Sequence, residues 1–149
     1  EKLKTIATAA VATSAYEGYN LGYLLKERDE VCLSTEQVLQ KAKEKVIALS
    51  DNYTAPTPKQ VTVMGRNGLG TLYTAINEFY LGKYMSDYDV EISRKVAYVL
   101  CGGDLTSQQK VSEQYLLDIE REAFLQLLGN EKTLERIQYM LMNNKPLRN

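Results

Sequence analysis

Apolar residues recur every three or four positions along most of the chain, with polar residues between them. This spacing places apolar side chains on one face of a helix. The clearest case lies between Val111 and Asn149, where one stripe comprises Leu116, Leu117, Ala123, Phe124, Leu127 and Leu128. Gly129 is suited to end that helix in the left-handed conformation, and Asn130 or Thr133 can cap the next one. The pattern predicts a C-terminal helical hairpin that docks its apolar stripe on another surface.

The rest of the chain repeats this pattern in shorter segments. Helices are predicted at residues 1–12, 14–22, 34–50, 71–81 and 86–100. Capping boxes are predicted at Ser14 and Ser34, with a possible third at Thr106, and Ser86 or Asp87 is predicted to cap the helix at residues 86–100. Residues 51–60 contain two prolines and no periodicity, so they are predicted to form an internal linker. Val61–Met64 is predicted to be one isolated extended segment. The fold prediction is a single all-α domain over residues 1–149, with five to seven helices and short capped connections.

A glycine-rich stretch, Gly65–Gly70, precedes the predicted helix at residues 71–81. Such stretches bind phosphate when they follow a strand as G-x-G-x-x-G or end in Gly-Lys-Ser/Thr. Gly-Arg-Asn-Gly-Leu-Gly fits neither pattern. A flexible turn is therefore favoured over a phosphate site.

Charge and hydropathy narrow the classes of partner. The 149 residues include 18 basic and 19 acidic side chains, and a formal charge of -1 provides no long-range attraction for nucleic acid. No stretch approaches the roughly 20 apolar residues that cross a bilayer, and no signal peptide is apparent, so a cytoplasmic location is expected. Because the chain begins at Glu1 in a helix-like pattern, we expect it to be part of a longer protein.

The residue types for catalysis are sparse. There is no histidine, which removes Ser–His and Cys–His pairs and the commonest zinc ligand. Cys32 and Cys101 are predicted to be free thiols. A group of carboxylates on the penultimate helix is a candidate for acid–base chemistry or cation binding: Glu113, Asp118, Glu120 and Glu122. Their spacing and the neighbouring Arg121 favour a solvated helix face, so no catalytic residue and no metal site are predicted.

Tyrosine dominates the aromatic residues, with 11 tyrosines against two phenylalanines. Its ring and hydroxyl suit the edges of a core and also protein interfaces. The first interpretation is favoured. The second supports an alternative function, a stand-alone helical module that binds a partner protein through Tyr and Leu faces. The basic residues after the last helix, Lys145–Arg148, are predicted to form a loose tail.

Two stretches carry a resemblance to a known family. Ala12–Leu24, ATSAYEGYNLGYL, is similar to the segment of enoyl-CoA hydratases, the crotonase family, in which a short helix ends in a leucine-glycine-leucine turn. The second stretch resembles the closing helices of that domain and comprises Glu120–Phe124, Thr133–Met142 and Asn144–Asn149. The likeness covers nearly the whole chain and is greatest to the C-terminal end of bacterial multifunctional β-oxidation proteins, 3-hydroxyacyl-CoA dehydrogenases that carry a hydratase domain. Residues 51–103 depart from a minimal hydratase.

This resemblance implies a fragment that is not catalytic alone. The hydratase glutamates and oxyanion-hole amides would lie upstream of Glu1, and NAD would bind in a Rossmann domain further upstream. The chain would cover the acyl-CoA site or mediate subunit contacts in a homo-oligomer. In related hydratases a lysine after the last helix approaches the nucleotide end of CoA, and Lys145 matches that position.

Overall fold

The computed structural model describes residues 1–149 and is mainly helical, as predicted. It has seven α-helices: α1 (Lys2–Ala7), α2 (Ala15–Leu21), α3 (Val38–Ser50), α4 (Gly65–Leu81), α5 (Asp87–Leu100), α6 (Glu113–Leu128) and α7 (Glu131–Asn143). A short 3-10 helix, Thr35–Gln37, leads into α3, and the two strands are β1 (Gln60–Val63) and β2 (Gln109–Ser112). No helix is both long and apolar enough to span a membrane.

The chain folds into two compact units. Unit 1 comprises Glu1–Ala9 and Pro58–Asn149, and unit 2 comprises Ala10–Thr57. Residues 53–59, within the predicted linker, have no regular secondary structure. The assignment of all 149 residues to one domain stays a prediction.

Helix α5 is at the centre of unit 1. It packs against α1, α4 and α6, and α6 also contacts β2 and α7. The buried apolar side chains of this unit are Val63, Ile76, Tyr88, Ala97, Cys101 and Ala123. Each large aliphatic side chain removed from water in this way contributes about 2 kcal/mol to folding.

The extended segment predicted at residues 61–64 is not isolated. Strand β1 pairs with β2 in an antiparallel register from Gln60 opposite Ser112 to Val63 opposite Gln109. The partner strand lies directly after the place where a capping box was predicted at Thr106, and that cap is absent. The prediction was wrong because pairing between strands so far apart in sequence depends on tertiary packing, which local propensity does not report.

The glycine-rich stretch forms the first turns of α4, so the prediction of a flexible turn was wrong. Gly65 has a φ of +63°, which only glycine adopts readily. Its N–H donates to the carbonyl of Cys101 at 3.0 Å, and the N–H of Arg66 donates to the carbonyl of Leu105 at 2.9 Å. These amides are the donors that a bound phosphate would use at a helix N-terminus. Carbonyl groups of Cys101 and Leu105 therefore occupy the position that a phosphate would take at the N-terminus of α4.

Some of the predicted N-terminal caps are present and others are absent. The Ser14 side chain accepts from the N–H of Glu17, but the Glu17 carboxylate accepts from Thr13 and not from the Ser14 amide. Ser86 forms a complete capping box with Asp89. Ser34 precedes the 3-10 helix and forms no side-chain cap. The first predicted helix is shorter than expected, since α1 ends at Ala7.

The predicted C-terminal pair of helices is present. Ser112 caps α6, and Asn130 caps α7 by accepting from the N–H of Lys132. Only Gly129 and Asn130 separate the two helices. Gly129 has a φ of -70°, so the predicted left-handed conformation is wrong there. Asn144, at the end of α7, has the left-handed conformation instead, with a φ of +50°.

Unit 2 contains α2, the 3-10 helix and α3. Gly22 ends α2, as the sequence predicts, and it has the left-handed conformation. The Tyr19 hydroxyl donates to the carbonyl of Asp29 at 2.6 Å, and the Tyr23 hydroxyl donates to the carbonyl of Ala10. The apolar face of α3 is left exposed and comprises Val38, Leu39, Val46, Ile47 and Leu49.

Candidate functional site

The predicted CoA contact, Lys145, lies in the segment that follows α7. Asn144 ends the helix and turns the chain, and Lys145 is the next residue. Its side chain is exposed and forms no ion pair. An exposed ammonium on a flexible stem is free to meet a phosphate. The assignment of Lys145 to CoA stays a prediction.

The residues after Lys145 are held against the protein, so the prediction of a loose tail was wrong. Arg148 donates to the Asp89 carboxylate at 3.0 Å. The carbonyl of Asn149 accepts from the Ser86 hydroxyl at 3.1 Å and from the Arg136 guanidinium at 3.2 Å. The Asn149 side chain also accepts from Arg136 at 2.7 Å. These bonds tie the end of the chain to the first turn of α5.

Asp89 is the centre of this C-terminal cluster, which we define as Ser86, Asp89, Arg136, Arg148 and Asn149. Asp89 is 7% exposed and accepts from Arg136 at 2.8 Å, Arg148 at 3.0 Å and the Ser86 amide at 3.0 Å. Burial opposes ionisation, but the hydrogen bonds from Arg136, Ser86 and Arg148 outweigh it and lower the pKa of Asp89 to about 2. The carboxylate is therefore ionised at neutral pH.

Tyr88 packs beside the cluster and links α5 to α7. Its buried hydroxyl shares a hydrogen bond with the Thr133 hydroxyl. The guanidinium carbon of Arg136 lies 5.0 Å from the centre of the Tyr88 ring, and the Lys132 ammonium lies 5.7 Å from it. Cations at these distances are attracted to the ring face. The tyrosine therefore helps to hold Arg136 in line with Asp89.

The cluster is suited to positioning and not to proton transfer. A general acid or base needs a pKa near the working pH, whereas two arginines keep the Asp89 carboxylate charged. The sequence predicts a cap at Ser86 or Asp87, but it gives no sign of the arginines, which lie 47 and 59 residues further along the chain. The cluster links Arg136 of α7 to Asn149 and Arg148 to Asp89, so it holds the segment that contains Lys145 at both ends.

The carboxylates singled out from the sequence are all exposed on α6, and they do not share one face of the helix. Asp118 accepts from Gln114 at 2.9 Å and from Arg121 at 3.3 Å. No group of three or more acidic or cysteine side chains is arranged to hold a metal ion. Both cysteines are free, as predicted, and burial raises the pKa of the Cys101 thiol.

Helix α7 has polar residues on its buried side and apolar residues on its exposed side, the reverse of an ordinary surface helix. Its inner side carries buried Thr133 and half-buried Arg136, whereas Leu134, Ile137 and Leu141 are exposed. These three residues are three and four positions apart, so they share one face. Leu141 is 81% exposed. We call these three residues the α7 apolar face.

The stripe predicted on α6 is divided in a similar way. Ala123 is buried against the neighbouring helices, and Leu116, Leu127 and Leu128 are half-buried. Leu117 and Phe124 remain exposed at 45% and 51%. Exposed apolar groups that follow a helical repeat are typical of a surface that another protein segment covers.

Comparison with known proteins gives one informative match. The chain is 40% identical over 147 residues to a probable 3-hydroxyacyl-CoA dehydrogenase of Bacillus subtilis (strain 168). The match covers 98% of this chain but 18% of the relative, so the chain spans less than a fifth of that protein's length. No family model matches the chain. No solved structure matches it.

Proposed function

We propose that this chain is the C-terminal helical segment of a fatty-acid β-oxidation enzyme, a 3-hydroxyacyl-CoA dehydrogenase with an enoyl-CoA hydratase domain. The segment covers the acyl-CoA site or forms subunit contacts, and it performs no catalysis by itself. The observation that carries the proposal is the α7 apolar face, which an independent domain would normally bury. The similarity to the Bacillus subtilis protein supports the assignment to this class of enzyme.

The energy of burying the α7 apolar face supports a permanent contact. A Leu or Ile side chain moved from water into a packed interface contributes about 1.5–3 kcal/mol. Three such side chains contribute enough to hold a segment of one chain on its own core, where little association entropy is lost. The face is therefore suited to pack on the hydratase domain or on a neighbouring subunit.

The reaction in the longer protein would be hydration of a 2-enoyl-CoA followed by NAD-dependent oxidation of the 3-hydroxyacyl-CoA. NAD would bind outside this chain, since the only glycine-rich stretch here starts α4 and its first amides bond to Cys101 and Leu105. This chain would contribute to the reaction in two ways. Its helices would cover the acyl-CoA, and Lys145 would provide a cation for the nucleotide phosphates.

The first test concerns the reading frame upstream of Glu1. We expect the longer protein to hydrate a 2-enoyl-CoA and to oxidise the product with NAD. Deletion of residues 1–149 is expected to lower the hydratase activity, because the acyl-CoA site loses its cover. A natural start codon close to Glu1, with no hydratase core before it, would contradict the proposal and favour a stand-alone interaction module.

Lys145 gives a second prediction in the longer protein. Lys145→Ala is expected to raise the KM for a 2-enoyl-CoA about fivefold and to leave kcat unchanged, because one exposed ion pair to phosphate is worth about 1 kcal/mol. Steady-state hydration kinetics would measure both constants. Lys110→Ala, an exposed lysine on β2, is the matched control.

The substrate provides a further control. An N-acetylcysteamine thioester carries the same acyl group without the nucleotide phosphates, so the effect of Lys145→Ala should disappear with that substrate. An equal rise in KM for both thioesters would exclude Lys145 as a phosphate contact.

A further inference from the structure

A cavity of about 230 Å³ lies between α4, α5 and α6 of unit 1. Three of its residues, Arg94, Lys95 and Tyr98, come from α5, where spacings of three and four place Tyr98 beside both cations. Ala123, from α6, is buried and leaves space because its side chain is small. Tyr73 of α4 forms another part of the wall. Lys145 does not line this cavity.

Both cations of the cavity lack an ion-pair partner. The guanidinium carbon of Arg94 lies 5.6 Å from the centre of the Tyr73 ring, and its N–H groups donate to no other group. The Lys95 ammonium donates to the side-chain oxygen of Gln126 and retains two further N–H donors. The cavity therefore contains two positive charges with unused donors.

Tyr98 lines the cavity and carries a neutral hydroxyl. The residue is half-buried, and its hydroxyl forms no hydrogen bond within the protein. Burial, followed by the negative charge of Glu122, raises the pKa of Tyr98, so the hydroxyl keeps its proton at neutral pH. Glu122 is the one acidic residue that lines the cavity. Together with Arg94 and Lys95, it gives the lining a net charge of about +1.

We propose that this cavity binds the oxyanion group of a small ligand, a carboxylate or a phosphate, through Arg94, Lys95 and Tyr98. Guanidinium and ammonium groups form their strongest hydrogen bonds with such oxygens. Glu122 repels excess negative charge and favours a ligand that also offers a hydrogen-bond donor. Neither the catalytic reaction nor Lys145 enters this proposal, so it stands independently of the proposed function.

The experiment is an NMR titration of the 149-residue chain with sodium phosphate and, separately, with sodium benzoate, at constant ionic strength. We expect saturable shifts of the backbone amides around Arg94–Tyr98 and Glu122–Gln126. Saturation with phosphate alone would identify a phosphoryl group as the ligand's oxyanion, and saturation with benzoate alone would identify a carboxylate. The absence of saturable shifts with both anions at tens of millimolar would overturn the proposal.

The affinities of four variants distinguish a specific binding site from general attraction by positive charge. Arg94→Gln is expected to weaken binding about tenfold, since it removes charged hydrogen bonds. Lys110→Gln removes the same charge outside the cavity and should leave the affinity unchanged. Tyr98→Phe should weaken binding with little effect on charge. Glu122→Gln should tighten binding several-fold, a gain that a misfolded variant does not give.

Equal loss of affinity in Arg94→Gln and Lys110→Gln would overturn the proposal. So would an unchanged or weaker affinity in Glu122→Gln, because the carboxylate would then not face the bound anion.

Discussion

Gly65→Ala is expected to lower the free energy of unfolding of unit 1 by about 3 kcal/mol. A residue with a side chain at a φ of +63° costs about 1–2 kcal/mol in backbone strain. The added Cβ would also lie 2.7 Å from the carbonyl oxygens of Leu105 and Ser107. These are backbone atoms that no side-chain rotation can move, so the clash adds a further cost of about 1–3 kcal/mol. Urea unfolding followed by circular dichroism would measure the change.

Gly70→Ala is the matched control in the same helix. No heavy atom lies within 4 Å of the added Cβ. Alanine is favoured over glycine inside a helix by about 1 kcal/mol, so this variant is expected to be more stable than the natural chain. Equal changes in the two variants would show that Gly65 is not a point of close backbone contact.

Asp89→Asn is expected to destabilise unit 1 by about 3 kcal/mol. The substitution preserves the shape of the side chain but leaves Arg136, which is 18% exposed, without its charged partner. Removal of one member of a buried ion pair typically costs about 3–5 kcal/mol, and Arg148 adds a second lost contact. Asp118→Asn, which breaks an exposed pair with Arg121, should change stability by less than about 1 kcal/mol.

The pH dependence of stability provides an independent check on Asp89. Its pKa is about 2 in the folded chain, below its ordinary value of 3.8. A lowered folded pKa adds stability above about pH 4, and this contribution is lost as the pH falls from 4 towards 2. The difference corresponds to about 2 kcal/mol.

The difference in stability between the natural chain and Asp89→Asn should therefore shrink over that range. A difference that stays constant from pH 6 to pH 2 would contradict the low pKa. Because each comparison is made at one pH, the titration of the other carboxylates cancels.

Most of the helices could be predicted because their signals are local. Apolar periodicity, together with caps such as Ser86 and Asn130, depends on residues within one or two turns. The same signals failed to predict the start of α4 at Gly65 and strand β2 at Gln109–Ser112. The start of α4 depends on a loop about 40 residues further along the chain, and β2 depends on a strand 49 residues before it. No local pattern reports such contacts.

The candidate site likewise contains few features that a local sequence pattern could predict. Lys145 could be selected only through the resemblance to a family, because its own residue type and neighbours are ordinary. The cluster around Asp89 could not be predicted from the sequence. An aspartate in the first turn of a helix is common, and its two arginine partners lie far along the chain. The α6 stripe was recognised as apolar, but its division between buried Ala123 and exposed Phe124 depends on the position of α5. Tertiary packing decides which part of an apolar stripe is covered.

The α7 apolar face is the feature on which the proposed function most depends. The direct test is to mix the 149-residue chain with the separately expressed upstream polypeptide and measure binding by titration calorimetry. We predict binding by the natural chain, and a loss of about tenfold or more in Leu141→Glu, because a charge would be buried in the contact. Leu81→Glu, at an exposed leucine of α4, should bind like the natural chain. Equal binding by the natural chain and by Leu141→Glu would contradict the account.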